Sequence, residues 1–385
     1  MSHPLENNPE QINCFLDTLE QLSDTRDNRG KRHSQAFIIA ATVFAILVGR
    51  PKTSSIYRYI KNNIDWLRKI TGMKDAKPIS RAHLPRLLDR VNWLELDQLV
   101  MSHFNLHLFP EGVDQEWVAI DGKLMKGTTK TGEKQALIHA VTHDSRTELA
   151  QARQSGSKSS EIPVVRKLLK ESGLEKRKVT LDAHHCNPET TARINSADGE
   201  YITQVKENQP TLLRQCQCLD SGEEELFSYE SHEKEHGRLT SRYTRIHPMN
   251  TLPLDGRWKD SGLHTMIAVT RHTLDIKKDK SSDETSYYIS NRAISEKKPE
   301  AAEDLAGAVR KHWGVESNNW ILDVAFKEDK VITKAANQSH IMGRLRGFGL
   351  QLLRKVCVTN FQAAMERFCD STASMEAMLR QVKFL

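Results

Sequence analysis

Cysteine is scarce in this sequence and poorly placed for cross-linking. Cys14, Cys186, Cys216, Cys218, Cys357 and Cys369 include no CxxC pair and no disulfide-like framework, so free thiols in a reducing compartment are expected. His184, His185 and Cys186 are adjacent, but they lack a fourth zinc ligand at sensible spacing. No apolar run reaches the roughly 20 residues needed to cross a bilayer. The longest, AFIIAATVFAILV at Ala36–Val48, follows a polar, charged segment unlike a secretory leader. It reads as a buried helix of an N-terminal bundle, in a cytoplasmic protein without a membrane partner. Internal repeats and long low-complexity segments are also missing.

What remains is a 385-residue chain with 38% hydrophobic and 28% charged residues, enough for two or three structural units. Its net charge of +6 leans only modestly toward a polyanionic partner. The local arrangement says more. RDNRGKRH (Arg26–His33) and RPKTSSIYRYIKNNIDWLRK (Arg50–Lys69) mix cations with aromatics and hydroxyls, which suits phosphate contacts. Arg29, Lys31 and Arg32 are candidate DNA contacts; a solvated helix surface is the alternative.

Residues 1–112 read as an all-helical N-terminal domain. Ser34 is placed to cap a helix through Val48 that Gly49 and Pro51 end, Ser54 to cap the next, and Ser80 a third running to about Val100. From Glu116 the pattern alternates. EWVAIDGK, QALIHAVTHD and TELAQARQS read as three strands, the last two joined by a turn at Asp144–Arg146. Ser160–Gly173 then reads as a helix, KVTLDAHH as a strand, Asn187–Ser196 as a helix and EYITQVK as a strand. The order implies an α/β fold with a mixed sheet. Residues 113–216 form its first part, 217–298 a β-rich insertion, and 299–385 C-terminal helices that return to the core.

Two of the expected strands carry an aspartate at their carboxyl ends, VAID at Asp121 and VTLD at Asp182. Each alone suits a turn former or a helix cap. If the strands are neighbours, the pair would repel, and a divalent cation between them would offset the repulsion. Hard oxygen ligands favour Mg²⁺, with Mn²⁺ able to substitute. RKHWGVESNNWILDVAFKED (Arg310–Asp329) adds a third acid, Glu316, on a helix whose Trp313, Glu316, Trp320 and Asp323 share one face. Strand-Asp, strand-Asp, helix-Glu in that order fits two-metal phosphoryl transfer. The tryptophans suit either core packing or base stacking, and Lys123 and Lys206 either phosphate contacts or ordinary solvent exposure.

IDGKLMKG around Asp121, KSSEIPVVRKLL at Lys158–Leu169, VTLDAHHCNPETTARI, YITQVKENQPTLL, EHGRLTSRY, SYYISN and the Glu316 stretch occur in one order along most of the chain. Together they resemble the bacterial insertion-sequence DDE transposases of the H-repeat-associated (ISAs) type. The resemblance implies an RNase H-like mixed-sheet catalytic core with a β-rich insertion. It implies Asp121, Asp182 and Glu316 as the catalytic, metal-binding triad. It also implies double-stranded DNA, as transposon ends and target, for substrate, a homodimer in the synapse, and a nucleoid location. Lys126, Lys158, Arg238 and Trp313 join Lys123 and Lys206 as candidate DNA contacts, with plain surface roles equally open for Arg238. The motif departs from the family at VESNNW. Related transposases outside this branch often carry an arginine four residues before the glutamate and a basic residue seven after it, where His312 and Asp323 stand here. Those departures leave room for two alternatives: a domesticated DNA nuclease, or a metal-free DNA-binding protein serving defence or recombination.

Overall fold

The computed structural model describes residues 14–27, 31–104, 116–124, 135–155, 161–235, 237–249, 253–330, 332–333 and 335–385. Helices α1 (Phe15–Leu19), α2 (Gln35–Leu47), α3 (Thr53–Asn62), α4 (Ile64–Thr71), α5 (His83–Arg90) and α6 (Trp93–His103) come first. Strands β1 (Val118–Leu124), β2 (Gln135–Thr142) and β3 (Glu148–Ser155) follow, then α7 (Glu161–Glu171), β4 (Lys178–Leu181), α8 (Pro188–Ser196), β5 (Glu200–Val205) and α9 (Pro210–Gly222). The chain continues through β6 (Phe227–Glu235), β7 (Arg238–Pro248), β8 (Thr265–Asp275) and β9 (Lys280–Ser290). It ends in α10 (Pro299–His312), α11 (Gly314–Val324), α12 (Ala336–Lys355), α13 (Phe361–Asp370) and α14 (Thr372–Gln381). No helix among the described residues is long and apolar enough to cross a membrane.

The described residues divide into a helical unit (within 1–107, 124–137 and 319–385) and a sheet unit (within 108–123 and 138–318). In the helical unit α2 is apolar on every side and all its residues are buried, as such a helix must be. The Ser34 hydroxyl accepts from the Phe37 amide at 3.1 Å, and Gly49, at φ +75°, stops the helix. Next to it, Lys52 occupies the N-cap of α3, and it is Ser55, not Ser54, whose hydroxyl takes the Lys52 amide.

The single long helix expected after Ser80 is two. Val91 turns extended and the Asn92 side chain caps α6. Asn337, remote in sequence, donates to the freed carbonyls of Asp89 and Val91 at 2.6 and 2.9 Å. Residues 319–385 also differ from expectation. Leu322, Phe326, Ile341, Leu345 and Phe348 share one core with Phe37, Phe44 and Leu88, so these helices pack with the N-terminal ones.

The sheet unit is built on nine strands in the order β3-β2-β1-β4-β5-β9-β8-β7-β6. β1, β4 and β5 run parallel. β9 pairs antiparallel with β5, and β8, β7 and β6 extend the antiparallel run. The architecture is mixed α/β and consistent with an RNase H-like core. Helix α10 lies across both halves of the sheet: Ala302, Leu305, Ala308 and Val309 pack against Trp117, Ile202, Ile246, Ile267 and Tyr288. Asp304 pins it there, accepting from Trp117 Nε1 at 3.0 Å and Arg292 Nη1 at 2.5 Å.

Candidate active site

β1 and β4 pair in register, Val118 with Val179, Ala119 with Thr180 and Ile120 with Leu181. β4 ends there, and the next residue on each strand is an aspartate, Asp121 and Asp182. The two acids therefore lie side by side where the strand order reverses, the place at which open α/β sheets build their sites. Asp182 also serves as a cap, its Oδ1 accepting from the His184 amide at 3.0 Å. The Asp121–Lys123 segment is not a turn; β1 runs on to Leu124. Gly122 has another purpose: a Cβ there would fall on the carboxylate of Glu161.

Glu316 stands in the first turn of α11, near enough to add to the charge felt by Asp121. Val315 beside it packs on Ala119 of β1 and Val141 of β2. The β2–β3 turn latches the end of α10 just upstream, where Lys311 pairs with Asp144 at 2.5 Å and the Arg146 guanidinium covers Gly314 so closely that a side chain there would collide. These side chains are open rather than buried: Trp313, which ends α10 just ahead of α11, is 45% exposed and Trp320 on α11 64%, and Glu316 is exposed as well. Core packing thus does not account for the tryptophans. Val315, Asn318, Leu322 and Phe326 make the buried side.

Burial and then the nearby Asp182 carboxylate push the Asp121 carboxyl up to about 6, with Glu161 and Glu316 adding to the rise and His139 opposing it. Asp182 and Glu316 thus each lie within electrostatic reach of Asp121. Glu161 joins them from α7, 3.2 Å from His185 Nε2; His185 in turn is 3.8 Å from Asp182. His139 Nδ1 is held at 2.5 Å by Glu148. His312 bonds Thr180 Oγ1 at 2.8 Å, and burial lowers its pKa to about 4. The residue at the usual arginine place is therefore a neutral imidazole at pH 7. Among the described residues, no group of three or more His, Cys, Asp or Glu side chains stands close enough to hold a metal ion. The donor set is nonetheless all hard oxygen and mutually repulsive, the chemistry a divalent cation fits.

Glu316, Lys206 and Trp313 share one cleft of about 720 Å³, walled by β6–β9 and α10, with Arg242, Arg271 and Tyr288 on its lining. The three arginines on its lining are all paired: Arg242 and Arg310 on Glu233, Arg271 on Glu284. Lys206 is exposed there. Lys123 is buried, at 7% exposed. Arg238 starts β7 at its hairpin end, 3.9 Å from Asp275, and does not line the cleft. Lys31 and Arg32 belong to the helical unit, both exposed. Arg29, Lys126 and Lys158 lie outside the described residues. Reading the sequence missed Glu161 and His139 as members of the site, while it shows His312 there only as a departure from arginine. Glu161 stands in KSSEIPVVRKLL, one of the blocks that carried the resemblance, and that was the available signal; nothing local marks His139.

The family described as "Transposase DDE domain" matches residues 113–346, and "DDE_Tnp_1-associated" matches 16–104. "Putative transposase YncI" of Escherichia coli O157:H7 is 27% identical over 365 residues, 89% of this chain and 88% of its own. "H repeat-associated putative transposase YhhI" of Escherichia coli K12 is 23% identical over 370 residues, covering 93% and 94%. "Putative protein YbfL" of the same strain matches to the same extent and identity. With its DDE domain spanning most of the chain, this protein belongs to the DDE transposase family and is an enzyme acting on DNA.

Proposed function

We propose that Asp121, Asp182 and Glu316 hold Mg²⁺, or Mn²⁺ in its place, and that the chain cuts DNA at transposon ends and joins the freed 3′-hydroxyl to target DNA. The observation that carries this is the β1–β4 register that sets Asp121 beside Asp182 at the strand ends, where burial and then the Asp182 carboxylate raise the pKa of Asp121. When bound, a pair of divalent ions supplies Lewis acidity for the attacking oxygen and the departing one. The residues do the rest. Asp121 and Asp182, fixed by the β1–β4 register, present oxygens from the rigid sheet, and Glu316 presents its own from a helix packed on β1 and β2. Neutral His312 braces Thr180 beneath Asp182 without competing for its charge. Lys206 and Trp313 line the approach, one suited to a phosphate and the other to a base face. Lys31 and Arg32 suit DNA held by the helical unit, with Arg29 beside them in sequence. Lys126, Lys158 and Arg238 complete the proposed DNA contacts, and the burial of Lys123 removes it from them. Two ends must be joined, so the working form is a homodimer on double-stranded DNA in the bacterial nucleoid.

The test is cleavage of the DNA flanking the gene with Mg²⁺, with Mn²⁺ and with EDTA, alongside Mn²⁺ calorimetry of the wild type and Glu316→Gln. Cleavage only with the metals, and weaker Mn²⁺ binding by the variant, support the proposal; cleavage unaffected by EDTA removes it. A second reading, a domesticated nuclease that cuts but does not join strands, draws on neutral His312 where an arginine is common. Strand joining in the same assay decides against it.

A further inference from the structure

The helical unit contains a cavity of different character, about 510 Å³ in volume. One wall is α5, HLPRLLDR. This helix commits Leu84, Leu87 and Leu88 to the core, which turns His83, Arg86 and Arg90, spaced i, i+3, i+7, onto the opposite side. Arg32 and His33, just ahead of α2, close the other wall. Their segment is fixed from below by Arg26, whose guanidinium holds Asp24 at 2.6 Å and donates to the His33 carbonyl at 2.9 Å. Arg32, Arg86 and Arg90 are exposed, and among the described residues none of the three has an ion-pair partner. Asp89, an acid on the same lining, is engaged as a cap, its Oδ1 accepting from the Gln338 amide at 3.0 Å.

Asp27 also stands on the lining beside Asp89, so the three guanidiniums outnumber the acids there, and an anion entering the hollow would offset the remaining positive charge. The planar guanidinium forks match phosphate oxygens bidentately. The stripe from His83 to Arg90 runs ~10 Å along the helix. With an axial rise of about 3.4 Å per nucleotide, that length spans about three backbone phosphates, where a free phosphate would fill only one place. We infer that this cavity grips the backbone phosphates of duplex DNA. It lies in a different unit from the acidic residues, and α5 is an element on which the sequence placed no DNA contact. The inference rests on the chain acting on DNA but not on its three acids being the catalytic ones.

The test is fluorescence anisotropy of the full chain with a random-sequence 30-bp duplex, over a salt series in EDTA so that no strand is cut. Arg86→Ala/Arg90→Ala should lower the slope of log K against log salt by about 2, and Arg32→Ala by about 1. Arg86→Lys/Arg90→Lys should keep the slope, and Arg380→Ala, elsewhere on the same unit, should leave it unchanged. Melting curves matching the wild type show that the variants are folded. An unchanged slope in the double alanine variant overturns the inference, as does an equal loss in Arg380→Ala, failure of the wild type to bind the duplex, or tighter binding of an RNA duplex than of DNA. Slope loss in a protein that does not cleave with Mg²⁺ would leave this cavity standing and remove the catalytic reading instead.

Discussion

At Asp121, burial and a neighbouring carboxylate act in the same direction, and the consequence is measurable. Its pKa rises from 3.8 to about 6, so between those values the folded chain keeps a proton that the unfolded chain releases. The ionised carboxylate is a liability fully present above about pH 6 and absent below about pH 4. Asp121→Asn should therefore raise metal-free stability by about 1–3 kcal/mol at pH 8, a gain that fades as pH falls toward 4; denaturant titration at the two pH values checks it. Gly122 gives a second residue-scale test. Gly122→Ala forces its methyl onto Glu161 and should cost about 1–3 kcal/mol. Much of that cost should return in Gly122→Ala/Glu161→Ala, and a strictly additive double variant would show that the two residues do not meet. Asp121, Asp182 and Glu316 could be picked out from the sequence because each stands out against apolar neighbours at a strand end or on a helix. Glu161 could not be assigned this way, since an acid in the first turn of a helix already has an ordinary reason to be there.

Helix α11 shows what periodicity can and cannot tell. Spacing placed Trp313, Glu316, Trp320 and Asp323 on one face, but not whether that face is inside or outside; Val315, Leu322 and Phe326 are the buried side. Because Val315 is what seats Glu316 against β1 and β2, Val315→Ala should cost about 1–3 kcal/mol and lower cleavage more than binding. Equal loss of both would mean that the helix has another anchor. The break between α5 and α6 was hidden for a different reason. Its carbonyls are satisfied by Asn337, which local patterns cannot bring near. The same helix pair carries Asp97, whose Oδ1 lies 2.6 Å from Arg344 Nε, an arginine 2% exposed. Arg344→Ala should destabilise the helical unit by about 3–5 kcal/mol, because it strands a partner carboxylate; thermal melting reads this directly.

Across the whole chain, the alternation of strands and helices was enough to expect an α/β core. The way the later strands join that core was not evident. β9 finds the open edge of β5, with Ile202 opposite Ser290 and Val205 opposite Tyr287, and the meander becomes part of one sheet. Arg245 and Asp220, bonded at 2.7 and 2.8 Å, tie α9 to it. Burial would raise Asp220, but the Arg245 guanidinium wins and holds it below the usual range. Its contribution to stability is therefore present above about pH 4 and lost as pH falls further. Asp220→Asn should remove that acid dependence along with the stability. The C-terminal helices were assigned to the core from chain order alone, whereas their apolar faces match α2 and α5 in three dimensions.

The most direct measurement is strand cleavage in Mg²⁺ by Asp121→Asn, Asp182→Asn and Glu316→Gln, with duplex binding measured on the same preparations in EDTA. Each variant should lose on the order of a thousandfold in cleavage rate, about 4 kcal/mol of barrier, while binding the duplex as the wild type does. A variant that cuts within tenfold of wild type, or that loses binding and cleavage together, would contradict the assignment of these three acids.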